Sequence, residues 1–177
     1  MNRTFDPWIG SHYFTEGIRG KRVFILGESH HGGEGCDYAG FTTKVIHDEA
    51  LGENGHPRRK FFARIQRLIV GGRGGFTDTE REDFWSRVAF CNFIQTALEG
   101  PRVRPTYDMW QAAREPLLLT LRELAPMLVL VLGVELNRGL PPFPEDIAIC
   151  AIQHPSSPGF SYNEWQPKVL SAVAANV

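Results

Sequence analysis

The sequence predicts a three-layer α/β/α fold on a four-stranded parallel sheet, and two observations carry that prediction. Four short runs rich in Val, Ile, Leu and Phe are nearly continuous rather than alternating, as strands covered on both faces are. Between them lie segments whose apolar residues recur at helical spacing, so strands and helices alternate and the crossovers are right-handed. The length of 177 residues, 42% apolar and 22% charged, suits one domain over residues 1–177 with its own core.

The strands are expected over residues 22–27, 87–95, 128–133 and 147–153. A first helix is expected over 60–70, where Phe61, Ile65, Leu68 and Ile69 form one stripe. Thr77 with Glu80 has the spacing of a capping box and opens a helix through Trp85. Residues 106–124 read as helix that Pro116 kinks or divides. Ser161 with Glu164 has the capping-box spacing again and opens a last helix, whose start can slip towards Pro167. Gly71, Gly72, Arg73, Gly74 and Gly75 read as a loop tip without the Lys-Ser/Thr of a phosphate loop.

Charge and cysteines exclude several classes. Nineteen basic against twenty acidic residues give a net charge of −1, which excludes a polybasic nucleic-acid coat. Cys36, Cys91 and Cys150 are too few and too scattered for a disulfide framework or a four-cysteine metal site. Cys91 and Cys150 fall inside strands and read as buried apolar residues. The longest apolar run, residues 127–134, is too short for a membrane span. The first ten residues hold no apolar leader core, so a cytoplasmic location is expected.

In an open α/β sheet the ligand crevice lies beyond the carboxyl ends of the strands. The first run is followed by Glu28, Ser29, His30, His31, Gly32 and Gly33. The second carries Asn92 near its end, with Gln95 after it. Glu135 and Asn137 follow the third, and His154, Pro155, Ser156 and Ser157 follow the fourth. A carboxylate, three imidazoles and an amide therefore converge on one sheet edge.

This ordered set resembles the uracil-DNA glycosylase superfamily over about residues 20–160, most of the chain. The resemblance rests on Gly27-Glu28-Ser29-His30-His31-Gly32, on Phe90-Cys91-Asn92-Phe93-Ile94, on the helix, proline and apolar strand of 117–133, and on His154-Pro155-Ser156-Ser157. It implies a uracil-DNA glycosylase-like fold and excision of uracil or a related damaged base from DNA. Glu28 would activate the water, His154 would stabilise the departing base, and Asn92 would read the base edge. Ser29, His30 and His31 would line the base pocket, with Tyr38 or Phe41 stacking on the base. Ser156 and Ser157 would meet phosphate. Ser29 and His30 stand where the family commonly carries Asp or Asn and then Pro. The branch with Glu after the glycine holds an iron–sulfur cluster on four cysteines; three without that spacing imply no cluster, and no cofactor is expected. The expected partner is damaged DNA, with no membrane, and the chain is expected to be a monomer.

Each residue also has a structural alternative. Glu28 can cap the next helix or bind an arginine, Asn92 can bond a neighbouring loop, and His154 can hold the Pro155 turn. Tyr38 and Phe41 can be core aromatics. Arg58, Arg59, Lys60, Arg64 and Arg67, with Arg102 and Arg104, read as solvated basic residues or as phosphate contacts. Two further classes stay open. Glu28, His30, His31, Glu34, Cys36 and Asp37 are possible ligands of a metal-dependent hydrolase. A non-catalytic nucleic-acid or nucleotide-binding relative is the other.

Overall fold

A computed structural model describes residues 3–32, 35–55, 59–72 and 75–175 of the chain. Five strands form one sheet: β1 (Trp8–Ile9), β2 (Val23–Gly27), β3 (Val88–Asn92), β4 (Leu128–Leu132) and β5 (Ala148–Ile152). Their order is β1-β3-β2-β4-β5, and the last four are the expected parallel strands. β1 corrects the four-stranded expectation. It lies antiparallel on the edge of β3, with Trp8 opposite Phe90 and Ile9 opposite Ala89. Two residues carry no period a sequence can display. The Trp8 ring N–H is anchored outside the sheet, on the Trp85 carbonyl at 2.8 Å.

Seven α-helices accompany the strands among the described residues: α1 (Phe41–Val45), α2 (Lys60–Val70), α3 (Asp78–Ser86), α4 (Tyr107–Ala112), α5 (Arg114–Leu124), α6 (Val134–Gly139) and α7 (Tyr162–Ala174). A π-helical turn, Ile46–Leu51, extends α1. Side chains alternate across each strand, so one run feeds two cores. Val23, Ile25, Leu128 and Leu130 share a core with Ile65 and Leu68 of α2, Trp85 of α3 and Val169 of α7. Phe24, Leu26, Val129 and Val131 share the other with Leu117, Leu121 and Leu124 of α5. Helices thus cover both faces of the sheet, and each fully buried aliphatic side chain contributes roughly 1.5–3 kcal/mol. The edge strand β5 departs from this pattern, leaving Ile149 47% exposed.

Local signals explain the helix boundaries. The Thr77 side chain accepts from the Glu80 N–H, and the Glu80 carboxylate accepts from the Thr77 N–H at 2.7 Å, completing the capping box. The 106–124 segment divides at Ala113, three residues before the proline. Pro116 thereby sits in the first turn of α5, where an N–H has no helical acceptor anyway. The C-terminal helix starts at Tyr162, carries Pro167 inside it and makes no side-chain cap at Ser161. Gly71 and Gly72 adopt positive φ after α2, as a loop tip requires; Arg73 and Gly74 lie outside the described residues. Cys91 and Cys150 are buried, as expected. Among the described residues no helix is long and apolar enough to cross a membrane.

Two of the basic residues of α2 serve the fold. Arg64 donates to the Pro155 carbonyl, and the Arg67 guanidinium lies 5.3 Å from the Tyr162 ring centroid. They brace the loop after β5 and the start of α7 against α2. Arg58 lies outside the described residues.

Candidate functional site

The carboxyl ends of the four parallel strands open on one cleft of about 1120 Å³. Parallel register sets Gly27 beside Asn92 at the ends of β2 and β3. Past the strands the two chains stay joined, the Phe93 N–H donating to the Gly27 carbonyl and the Ile94 N–H to the Glu28 carbonyl, each at 2.9 Å. Further on, the Leu98 N–H donates to the His30 carbonyl and the Gly32 N–H to the Leu98 carbonyl. Backbone hydrogen bonds therefore continue past the strand end and hold the segment carrying Glu28, Ser29, His30 and His31.

Glu28, Asn92 and His154 all line this cleft. Glu28 is half-buried, and burial raises its pKa above the ordinary carboxylate value; the Glu135 charge adds to the rise and Arg104 opposes it. Its carboxylate forms no hydrogen bond or ion pair among the described residues, so neither structural alternative is realised. The next helix, α1, is capped at Gly40 without any side chain. Asn92 is 7% exposed, and its amide likewise holds no partner among the described residues.

His154 is set differently. The Ser156 backbone N–H donates to its Nδ1 at 3.2 Å, which makes Nδ1 an acceptor and leaves the ring proton on Nε2. Burial, and then the nearby His31, lower its pKa, favouring the neutral ring. The ring stacks on Phe61 with centroids 5.3 Å apart and planes 16° from parallel. The Ser157 N–H closes the turn on the His154 carbonyl at 2.9 Å, and the Arg64 bond holds the same turn from α2. His154 does hold the Pro155 turn, and it also presents a neutral donor nitrogen.

The other expected residues divide. Ser29, His31, Ser156 and Ser157 line the cleft. His30 borders it, but its Nε2 lies 3.0 Å from the Thr42 hydroxyl, and its ring meets Phe5 and Phe41 edge-on. Burial drives its pKa down to about 4, so His30 is a neutral buried link to α1. Tyr38 and Phe41 are not among the cleft-lining residues. Phe41 is buried against His30 and Phe5, and Tyr38 packs its ring on Phe41 with one side in solvent. The cleft takes its aromatic lining from Phe61, Phe62 and Phe90 instead. Phe61 reads as core from its place on the helical stripe; in the structure Phe62 takes the buried position and Phe61 turns to the cleft. Arg59 with Glu49, and Arg102 and Arg104 after β3, also line it, none of them singled out by a strand-end motif.

Among the described residues no group of three or more His, Cys, Asp and Glu side chains could hold a metal ion. Glu34 lies outside the described residues. His30 spends its Nε2 on the Thr42 hydroxyl. No protein-family model matches the chain, and no curated protein is similar to it at a significant level.

Proposed function

We propose that this cleft hydrolyses the N-glycosidic bond of uracil or a related damaged base in DNA, on a uracil-DNA glycosylase-like fold. One observation carries the reading. A carboxylate and an amide without protein partners face the same cleft as a neutral imidazole whose proton is fixed on Nε2.

Breaking the C1′–N bond develops positive charge on the sugar and negative charge on the base. A raised carboxylate pKa makes Glu28 the stronger base, and it takes the proton of the water that attacks C1′. The bonding pair of C1′–N leaves with the base. His154 donates its Nε2–H to a base oxygen as that charge grows; being neutral, it can do so without transferring its proton. Asn92 offers one donor and one acceptor face to the base edge. Phe61, which lines the cleft where Tyr38 and Phe41 do not, is the aromatic that stacks on the base. The Ser156 and Ser157 N–H groups are already committed to His154, so their hydroxyls are left for phosphate.

The test is release of free base. Oligonucleotides containing uracil, hypoxanthine or xanthine are incubated with the protein, and the soluble fraction is analysed by mass spectrometry. A free base appearing from one of them supports the reading. Tight, salt-dependent binding with no base released would instead make the protein a binding relative.

A further inference from the structure

Several arginines are engaged within the fold. Arg3 pairs with Asp6 and Glu123, Arg87 with Asp83 and Glu16, and Arg22 donates to the Ala125 carbonyl at 2.6 Å. Arg64 braces the loop after β5 and Arg67 the start of α7. The segment after β3 is unlike these. Gly100-Pro101-Arg102-Val103 is a turn closed by the Val103 N–H on the Gly100 carbonyl at 3.0 Å, with proline at its second position. Proline there fixes φ in advance, so the turn needs little ordering. Pro105 and the Thr106 cap of α4 fix its far side, the Thr106 hydroxyl accepting from the Met109 N–H.

The turn displays Arg102 and Arg104 at the rim of the cleft that holds Glu28. Arg102 has no partner among the described residues. Arg104 meets Glu135 only at 3.4 Å, with both side chains about three-quarters exposed, a contact worth little in water. Arg59, paired with Glu49 at 2.9 Å, adds a third guanidinium to the same lining. Guanidinium groups held on a preformed turn and largely unpaired suit phosphate, whose oxygens they meet bidentately.

We infer that the 100–105 turn is a phosphodiester grip, with Arg102 and Arg104 binding the strand that delivers the base to the cleft. This rests on the base-excision reading for what enters the cleft. It adds where the strand is held and which side chains hold it. Ser156 and Ser157 then supply neutral contacts on the β5 side, and the charged contacts come from the β3 side.

The grip is tested by fluorescence-anisotropy titration of a labelled single-stranded oligonucleotide whose uracil carries a hydrolysis-resistant 2′-fluoro sugar. The parent, Arg102→Ala/Arg104→Ala and Arg122→Ala are compared over a range of salt. Arg122 is an exposed arginine at the opposite end of the sheet, near Arg22 and Ala125. The double variant is expected to bind about tenfold or more weakly, and the slope of log K against log salt to fall by about 1.4, two single-strand phosphate contacts. Arg122→Ala keeps the parent's slope. Unchanged binding by the double variant overturns the grip, and if the parent still releases base the excision reading survives alone. Loss of binding in a protein that releases no base keeps the grip and removes the excision reading. No binding by the parent overturns the grip outright.

Discussion

The Asn92 Oδ1 lies so close over Gly27 that a Cβ on the glycine would meet it at 2.1 Å. Glycine at the end of β2 is what lets the Asn92 amide keep this position, because the amide crosses the space any side chain would fill. Gly27 is also the residue after which the chain turns Glu28 into the cleft, so one contact couples the proposed base reader to the proposed base.

Gly27→Ala should leave a folded protein, at a cost of about 1–3 kcal/mol for the overpacking, and should displace the Asn92 amide. Urea unfolding measures the first effect. Base release should fall at least about tenfold, one such hydrogen bond in free energy. An alanine variant with parental activity would separate Asn92 from base recognition.

Glu28 as the proposed general base predicts a pH dependence. Its pKa is raised by burial first and by Glu135 next, with Arg104 opposing. A general base must be ionised, so activity climbs with pH along a limb whose midpoint lies above the ordinary carboxylate value. Glu135→Gln removes the negative neighbour and loosens Arg104 from its partner. Both changes favour the carboxylate, so the limb should move to lower pH. A pH–rate profile moving upward would contradict this electrostatic assignment.

His154 should act as a neutral donor. Replacing it with Leu removes the Nε2–H and should lower the excision rate about 10²–10³-fold, the loss typical of one donor to a developing anion. The Ser156 N–H then loses its acceptor, so thermal melting separates turn disruption from catalysis. Equal rates would remove His154 from catalysis, and a lowered melting temperature beside them would make it purely structural.

His30 predicts a stability effect. Its folded pKa, about 4, lies below the 6.5 of the exposed ring, so between those values the unfolded chain binds more protons. Stability is complete above about 6.5 and falls as pH drops towards 4, by roughly 3 kcal/mol for this group. Urea midpoints measured across that window for the parent and for His30→Gln should converge at low pH. A difference that is constant with pH would mean that His30 is charged in the folded protein.

Much of this architecture was legible in the sequence because burial on two faces leaves an unmistakable run. Val23–Gly27, Val88–Asn92, Leu128–Leu132 and Ala148–Ile152 fall inside the expected strands, and the Thr77–Glu80 capping box formed as its spacing implies. The strand-end rule gathered Glu28, Asn92 and His154 on one cleft. What escaped has physical reasons. β1 is too short to show a period, and Ser161 makes no cap bond although Glu164 stands at the capping-box spacing. The side-chain direction of Phe61, unlike its helical position, depends on how α2 is rotated against the sheet. Tyr38 and Phe41 follow the first motif closely but pack on His30, outside the cleft.

The central claim is tested most directly by following abasic sites. Labelled oligonucleotides carrying uracil, hypoxanthine or xanthine, single- and double-stranded, are incubated with the parent and with Glu28→Gln, then cleaved with alkali. The prediction is strand cleavage at one of these bases by the parent, reduced about 10²–10⁴-fold in the variant with folding and DNA affinity preserved. No cleavage by a folded parent at high protein concentration, or equal cleavage by the variant, would contradict it.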